Sequence, residues 1–304
     1  MASPYAVRSF GSERPSLERR LFRRAGHDLM TPLAPEGAAE SRLSQRLRWE
    51  AAAQEFSDLW NAPTTQYYRR MEVALIRRAF GPLQGKRVLK LDLWNEAFNT
   101  RILEWVAQEG AEVVGFDASQ VVTGRARRQA ALRGQNLNVA CADMREIPFA
   151  DRSFDCVYTM GTIEHIPEYV DCLREVRWVL RDGGRAVIGV PHKWDPFLRP
   201  LLVRVLELLG RYPYAPEKSF GARELRRDIE SAGLEVLDRT GILALPGVLR
   251  MLDLFLLKHG VPLGRLTSAM SAPFEYCESR FPAAAKAGYL MAMVARRPLE
   301  DAED

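Results

Sequence analysis

From residue 49 to residue 80 the apolar positions Phe56, Leu59 and Trp60, then Tyr67, Met71, Ala74, Leu75 and Ile76, recur at helical spacing on either side of Pro63. That pattern predicts two helices ahead of the main body. After Gly81-Pro82 and Gly85 the period changes. Short β-rich runs at 87–91, 112–116, 137–141, 154–159, 185–190, 234–240 and 289–295 alternate with helical patterns at 99–109, 121–133, 169–180 and 222–232. Such alternation predicts an α/β fold with a doubly wound, mostly parallel sheet of seven strands. No standard crossover helix precedes the last run, which is therefore read as an antiparallel strand closing the sheet. Residues 1–45 are rich in Ser, Pro, Gly and Arg with little apolar period, and predict a flexible basic arm ahead of a domain spanning 46–304.

Two connections are long, 191–221 after the fifth strand and 242–288 after the sixth. Both leave the carboxyl ends of strands, the edge at which open α/β sheets bind ligands. They are also apolar, with Phe197, Leu198, Leu201, Leu202, Val203 and Val205 in the first and Leu249, Met251, Leu252, Leu254 and Phe255 in the second. Three readings suit this composition: helices packing on each other, a cap over an apolar substrate, or a membrane-surface contact.

Composition narrows the class without naming a chemistry. With 47% apolar and 27% charged residues the chain reads as an ordinary soluble globular protein. Residues 1–80 carry 13 basic and nine acidic side chains, so the whole net charge of +4 sits there and the body is neutral. A neutral body argues against nucleic acid as a partner, because that affinity needs a concentrated basic surface. Cys141, Cys156, Cys172 and Cys277 are too widely spaced for a metal site or a disulfide framework. No run is apolar enough for a spanning helix and no secretory leader is visible, so the expected location is cytoplasmic.

Candidate chemistry gathers at the ends of three successive strands. Asp117, in VVGFDAS, follows the second strand 25 residues after Asp92, a position suited to accepting hydrogen bonds from the two hydroxyls of a ribose. Asp143, in ACADMREIPF, follows the third strand, where a carboxylate could read an adenine edge and Met144 pack on its ring. The fourth strand ends near Thr159 and leads into Met160-Gly161 and the polar pair Glu164-His165. His165 is placed either to act as a general base or to cap the following turn. His192, after the fifth strand, is a second candidate base facing a substrate.

The order of elements, with VVGFDAS, ADMREIPFADRSFDCVYTMGTIEHI and VRWVLRDGGRAVIGVP, resembles the class I S-adenosylmethionine-dependent methyltransferases, in particular the branch of quinone- and small-molecule-methylating enzymes. The resemblance covers about residues 65–240 and the final strand. It implies a Rossmann-like methyltransferase fold and S-adenosyl-L-methionine as cofactor. Carried over by position, Asp117 and Ala118 hold the ribose, Asp143 and Met144 border the adenine, Met160 and Gly161 line the methionine end, and Tyr67 or Tyr68 closes the site. The first motif departs from the family. Its acid is replaced by Lys90 and its alternate glycines by Asp92, Trp94 and Glu96, although glycine serves there because it lacks a Cβ. Either the loop through Leu93 takes another path, with Asp92 or Glu96 receiving the cofactor's ammonium group, or Trp94 fills the pocket and the cofactor is not bound.

The resemblance thus implies methyl transfer to the oxygen or carbon of a small apolar or amphiphilic acceptor such as a lipid, quinone or polyketide. A non-catalytic binding or scaffold protein that has lost the cofactor loop is the competing expectation. An RNA methyltransferase, suggested by Arg125, Arg127 and Arg128, is disfavoured by the neutral body.

Overall fold

The protein was analysed as a computed structural model that describes residues 36–210 and 217–299. Two compact units divide at Leu43 and Ser44. The described part of the first is the opening of helix α1 (Glu36–Glu55); the second contains the rest of that helix and the whole α/β body. Helix thus begins at Glu36, ten residues inside the stretch expected to be a flexible arm. It ends at Glu55, short of Phe56, Leu59 and Trp60, whose spacing predicts a helix, and its own apolar residues gather on no single face, so no period announces it. The remainder of the expected arm, 1–35, lies outside the described residues.

Helix α2 (Pro63–Phe80) starts with proline at its first position, where a missing N–H costs nothing, and ends at Gly81 with φ +68°. The body then runs β1 (Arg87–Lys90), α3 (Trp94–Phe98), α4 (Ile102–Gln108), β2 (Glu112–Asp117), α5 (Gln120–Ala131), β3 (Asn138–Cys141), β4 (Phe154–Met160), α6 (Tyr169–Val179) and β5 (Leu180–Pro191). It continues with α7 (Arg199–Leu208), α8 (Ala222–Ser231), β6 (Glu235–Ile242), α9 (Gly247–Lys258), α10 (Gly264–Arg280), α11 (Pro282–Ala285) and β7 (Leu290–Arg296). Strand order is β3-β2-β1-β4-β5-β7-β6, with β7 antiparallel to both neighbours and the other pairings parallel. The expected seven-stranded, mostly parallel sheet is therefore the observed one. Its central strands are near-continuous apolar runs because helices cover both faces.

The order reverses between β1 and β4, and a ligand crevice opens outside the carboxyl ends of strands at such a switch point. The two long connections supply the helices beside it. Helices α9 and α10 are tied to α2 by buried polar contacts. Asp253 accepts from the Thr64 amide (2.9 Å) and from the hydroxyls of Thr64 and Thr267 (both 2.6 Å). Glu278 accepts from the amides of Leu243 (3.1 Å) and Ala244 (2.7 Å) and from the Tyr67 hydroxyl. Phe197 and Phe274 meet edge to face, joining the first connection to the second. The caps therefore pack on each other and also on the helix that carries Tyr68.

Where β6 meets β7 there is no room for a side chain at Gly241. A Cβ there would lie 2.5 Å from the Ala285 carbonyl oxygen and 2.7 Å from that of Leu290, both backbone atoms. Gly241→Ala should destabilise the protein by about 1–3 kcal/mol, read as a lower urea midpoint at unchanged slope.

Candidate functional site

A buried ammonium organises the crevice. Lys90 ends β1 with 1% of its surface exposed, and its Nζ donates to the Asp92 carbonyl (2.7 Å) and to Asp92 Oδ1 (2.9 Å), with Glu96 Oε1 at 3.8 Å. Burial pushes the Lys90 pKa down, but the Asp92 and Glu96 carboxylates outweigh it and hold the ammonium charged. Each carboxylate leads to a different element. Asp92 Oδ2 accepts from the Thr162 hydroxyl (3.1 Å) beyond β4, and so bridges the two strand ends that flank the crevice. Glu96 accepts from the Leu103 amide with both oxygens (3.2 Å each), capping α4. Glu72, on α2, accepts from the Tyr158 hydroxyl of β4 (2.7 Å). Burial raises both Glu72 and Glu96 to about 7.

The segment expected as a rebuilt loop is the short helix α3. Leu93, just ahead of it, is fully buried against Gly115 of β2, where an added Cβ would come within 2.6 Å of Leu93 Cδ2. Trp94 stacks among Phe56, Phe98 and Trp49 at centroid distances of 4.9, 4.7 and 5.4 Å. Of the positions singled out in the first motif, Asp92 spans the crevice, whereas Leu93 and Glu96 face inward.

On the nucleoside side the backbone holds Asp117 in place. Oδ2 accepts from the Leu93 amide (3.0 Å) and Oδ1 from the Ser119 amide (2.8 Å). Each oxygen keeps a lone-pair direction for a further donor. Burial raises this carboxyl to about 6, against the pull of those two amides. The Ala118 carbonyl accepts from Cys141 Sγ (3.3 Å), fixing the turn between β2 and β3. Asp143 receives the guanidinium of Arg145 (2.7 Å), which also reaches Glu168 and Gln45, while Met144 is buried in the core beneath.

Helix α1 lies across this mouth. Trp49 packs edge-on against both Trp94 beyond β1 (5.4 Å) and His165 beyond β4 (5.0 Å). Glu50 accepts from the amides of Gln120 (2.8 Å) and Val121 (3.1 Å), the exposed donors at the start of α5. Nothing in the polar sequence of α1 signals this role.

After β4, Met160 is buried against Gly189 of β5 and Gly161 turns the chain with φ +79°. A 3-10 turn at Ile163–His165 follows. His165 Nε2 stands 3.9 Å from Glu164 Oε1, with its ring under Trp49. Glu164 is buried, and its Oε2 has no hydrogen-bond partner among the described residues. Burial, and then Glu217, push its pKa well above the carboxylate range. His192 sits elsewhere, on the β6 side of the sheet, with Nε2 3.3 Å from the Arg239 guanidinium. Burial and then Arg239 lower its pKa, so it is neutral at pH 7.

Tyr68 is buried on α2. Its hydroxyl receives Asn95 Nδ2 (3.4 Å), and the Arg250 guanidinium of α9 lies over its ring at 5.3 Å. Asn95, Thr162, Glu164 and Arg250 are residues that sequence reasoning did not select. Glu164 was visible as half of a polar pair; Arg250 is a lone charge in an apolar run and resembles any solvated arginine.

These acceptors suit a cationic ligand: Asp117 and Asp143 present carboxylates beyond β2 and β3, and Asp92 presents one between the ends of β1 and β4.

Comparison with known proteins agrees with this edge. Residues 83–188 match the family model described as "Methyltransferase domain". The ubiquinone biosynthesis O-methyltransferase of Sinorhizobium fredii is 30% identical over 164 residues, 53% of this chain and 64% of that protein. An uncharacterized 37.1 kDa protein in transposon TN4556 of Streptomyces fradiae is 32% identical over 174 residues, 56% of this chain and 48% of that protein. The chain thus spans under two thirds of the length of either relative. Among solved structures, the [4+2]-cyclase SpnF superposes with a TM-score of 0.57 at 19% identity, covering 88% of this chain and 98% of that one. A sarcosine dimethylglycine methyltransferase, so described, from Galdieria sulphuraria gives 0.52 at 17% identity, covering 85% and 99%. Residues 83–188 of the chain are thus a class I S-adenosylmethionine-dependent methyltransferase domain.

Against the glycine-rich first motif expected of such a domain, its oddity is the cation at the end of β1. Lys90→Met leaves Asp92, Glu96 and Glu72 without their counter-charge, and should cost about 3–5 kcal/mol of stability. The folded pKa values of Glu72 and Glu96, about 7, lie above their unfolded values, so their contribution to stability is lost as pH rises through 7. The variant's deficit should be larger at pH 8 than at pH 6 in denaturant titrations.

Proposed function

We propose that this chain transfers a methyl group from S-adenosylmethionine to a small, largely apolar acceptor seated beneath the α7 and α9–α10 caps. Asp117 is the observation that carries the reading: a carboxylate at the end of β2, beside the switch point, pre-oriented by two backbone amides. In this reading Asp117 takes the ribose hydroxyls, Ala118 shapes the turn beside them, Asp143 and Met144 border the adenine, and Asp92 receives the α-ammonium group. Met160 and Gly161 set the path of the chain past the methionine end, and Tyr68 closes the acceptor side. The cofactor supplies an activated methyl on a sulfonium leaving group. The chain's residues align the acceptor for in-line attack and exclude water.

For a hydroxyl acceptor, or one with an acidic carbon, His165 at the crevice rim is the proton acceptor we favour over His192, which lies on the β6 side of the sheet. Exposed apolar side chains on the caps, among them Leu201, Leu252, Phe255 and Leu266, suit an acceptor delivered from an apolar phase. A lipid, quinone or polyketide has that character. Among the described residues no helix is long and apolar enough to cross a membrane.

One observation favours a second reading. The Asp92 carbonyl is already occupied by the Lys90 ammonium, and a protein so altered could retain the fold as a binding or scaffold subunit. The fold itself does not decide the chemistry, since a cyclase shares it.

Titration calorimetry with S-adenosylhomocysteine distinguishes the two. Methyl transfer requires binding by the wild type that Asp117→Ala weakens at least about tenfold. Because the carboxylate must be ionised to accept both hydroxyls, affinity should be level above pH 7. Below about 6, the raised pKa of Asp117, it should fall roughly tenfold per pH unit. Absence of binding to a folded wild type would leave the scaffold reading.

A further inference from the structure

Two arginines stand under the caps, and they are treated differently. Arg199, at the start of α7, pairs with Glu217 (2.5 Å) and lies over the Tyr289 ring at 5.1 Å. Arg250, in the first turn of α9, is 8% exposed, yet no carboxylate comes within 4.0 Å of it among the described residues. Its guanidinium reaches the Thr64 hydroxyl at a long 3.4 Å and covers the Tyr68 ring at 5.3 Å. Thr64 in turn donates to Asp253, whose oxygens are taken by Thr64 and Thr267. Asp253 thus tempers the charge through a hydroxyl and does not pair with it.

A guanidinium offers five N–H donors and cannot shed its proton. Burying it with one distant acceptor is costly, and such charges in proteins are ordinarily paired. The donors left over are not sealed in the interior, and beside them Tyr68 of α2 and Tyr289 ahead of β7 are both buried. Tyr289 feels Arg250 and Arg199 together, so the three side chains share one locality. Tyr68 connects that locality to Asn95 on α3 and hence to the β1/β4 crevice.

We infer that Arg250 is a specificity-determining residue that binds an anionic oxygen group, a carboxylate or a phosphate, on the methyl acceptor. The inference deepens the methyl-transfer reading above and rests on it for calling the ligand an acceptor. The acceptor is then an amphiphile: an apolar body among the cap side chains, an acid on Arg250, and the nucleophilic atom toward Asn95 and Asp92. A planar guanidinium over a tyrosine ring suits such a group, since its fork donates to two oxygens at once.

The test uses the full chain with three soluble probes of one tail length, octanoate, octyl phosphate and 1-octanol, each titrated calorimetrically. At least one anion should bind wild type roughly tenfold or more tighter than the alcohol, and the ratio between the two anions identifies the headgroup. Arg250→Gln should abolish that preference, and Arg250→Lys should keep part of it. Binding of S-adenosylhomocysteine should be equal in wild type and both variants, which also reports that they fold. Equal binding of octanol and the anions to wild type, or an anion preference that survives in Arg250→Gln, would overturn the assignment. Loss of S-adenosylhomocysteine binding in wild type with the anion preference intact would instead sink the methyl-transfer reading and leave the anion site standing.

Discussion

An ammonium group in a dry interior must be surrounded by opposite charge, and the ligand edge of this protein is arranged around that requirement. Lys90 draws Asp92 and Glu96 to itself. Through them it fixes Thr162 beyond β4 and the first turn of α4. Glu72 lies within the same field and secures Tyr158 to α2. A glycine loop shapes a ligand cradle by leaving side chains out; here a comparable length of chain is shaped by side chains that satisfy one another. The carboxylates hold each other's charge in check through the cation they share.

The sheet was legible because its strands are buried on both faces, so each appears as a short apolar run between turn residues. The antiparallel β7 was legible from what was missing before it. Ends were less clear: β5 begins at Leu180 directly after α6 and carries an irregularity before Arg185, where Gly183 turns with φ +73°. Helix α1 was invisible before residue 49, because a polar helix has no period to read. Helix α3 was hidden for another reason. Five residues are too few for a pattern, and their helicity depends on what Glu96 and Asn95 reach in space.

Site residues divided along similar lines. Asp117 and Asp143 were legible since they sit at fixed offsets from strands, and position alone suggests their role. Glu96 read as a possible ligand and serves as an inward cap, a difference set by side-chain direction. Arg250 could not be found from sequence: Thr64 lies 186 residues away, and nothing nearby in the chain distinguishes a buried arginine from a solvated one. His192 looked like His165 on paper, each following a strand, yet His165 lies five residues past β4 against Trp49 and His192 directly past β5 beside Arg239.

Helix α1 is fastened at points belonging to three strand ends: Trp49 to those of β1 and β4, and Glu50 to the turn after β2. Trp49 packs beside residues that follow both strands flanking the crevice. Its aromatic contacts are worth about a kilocalorie per mole each, and the bonds from amides to the Glu50 carboxylate about 1.5–3 kcal/mol each. Residence time and commitment of a bound nucleoside are thereby separated from the groups that recognise it. Changes confined to the outer turns of α1 could lengthen or shorten occupancy while recognition itself stayed as it was.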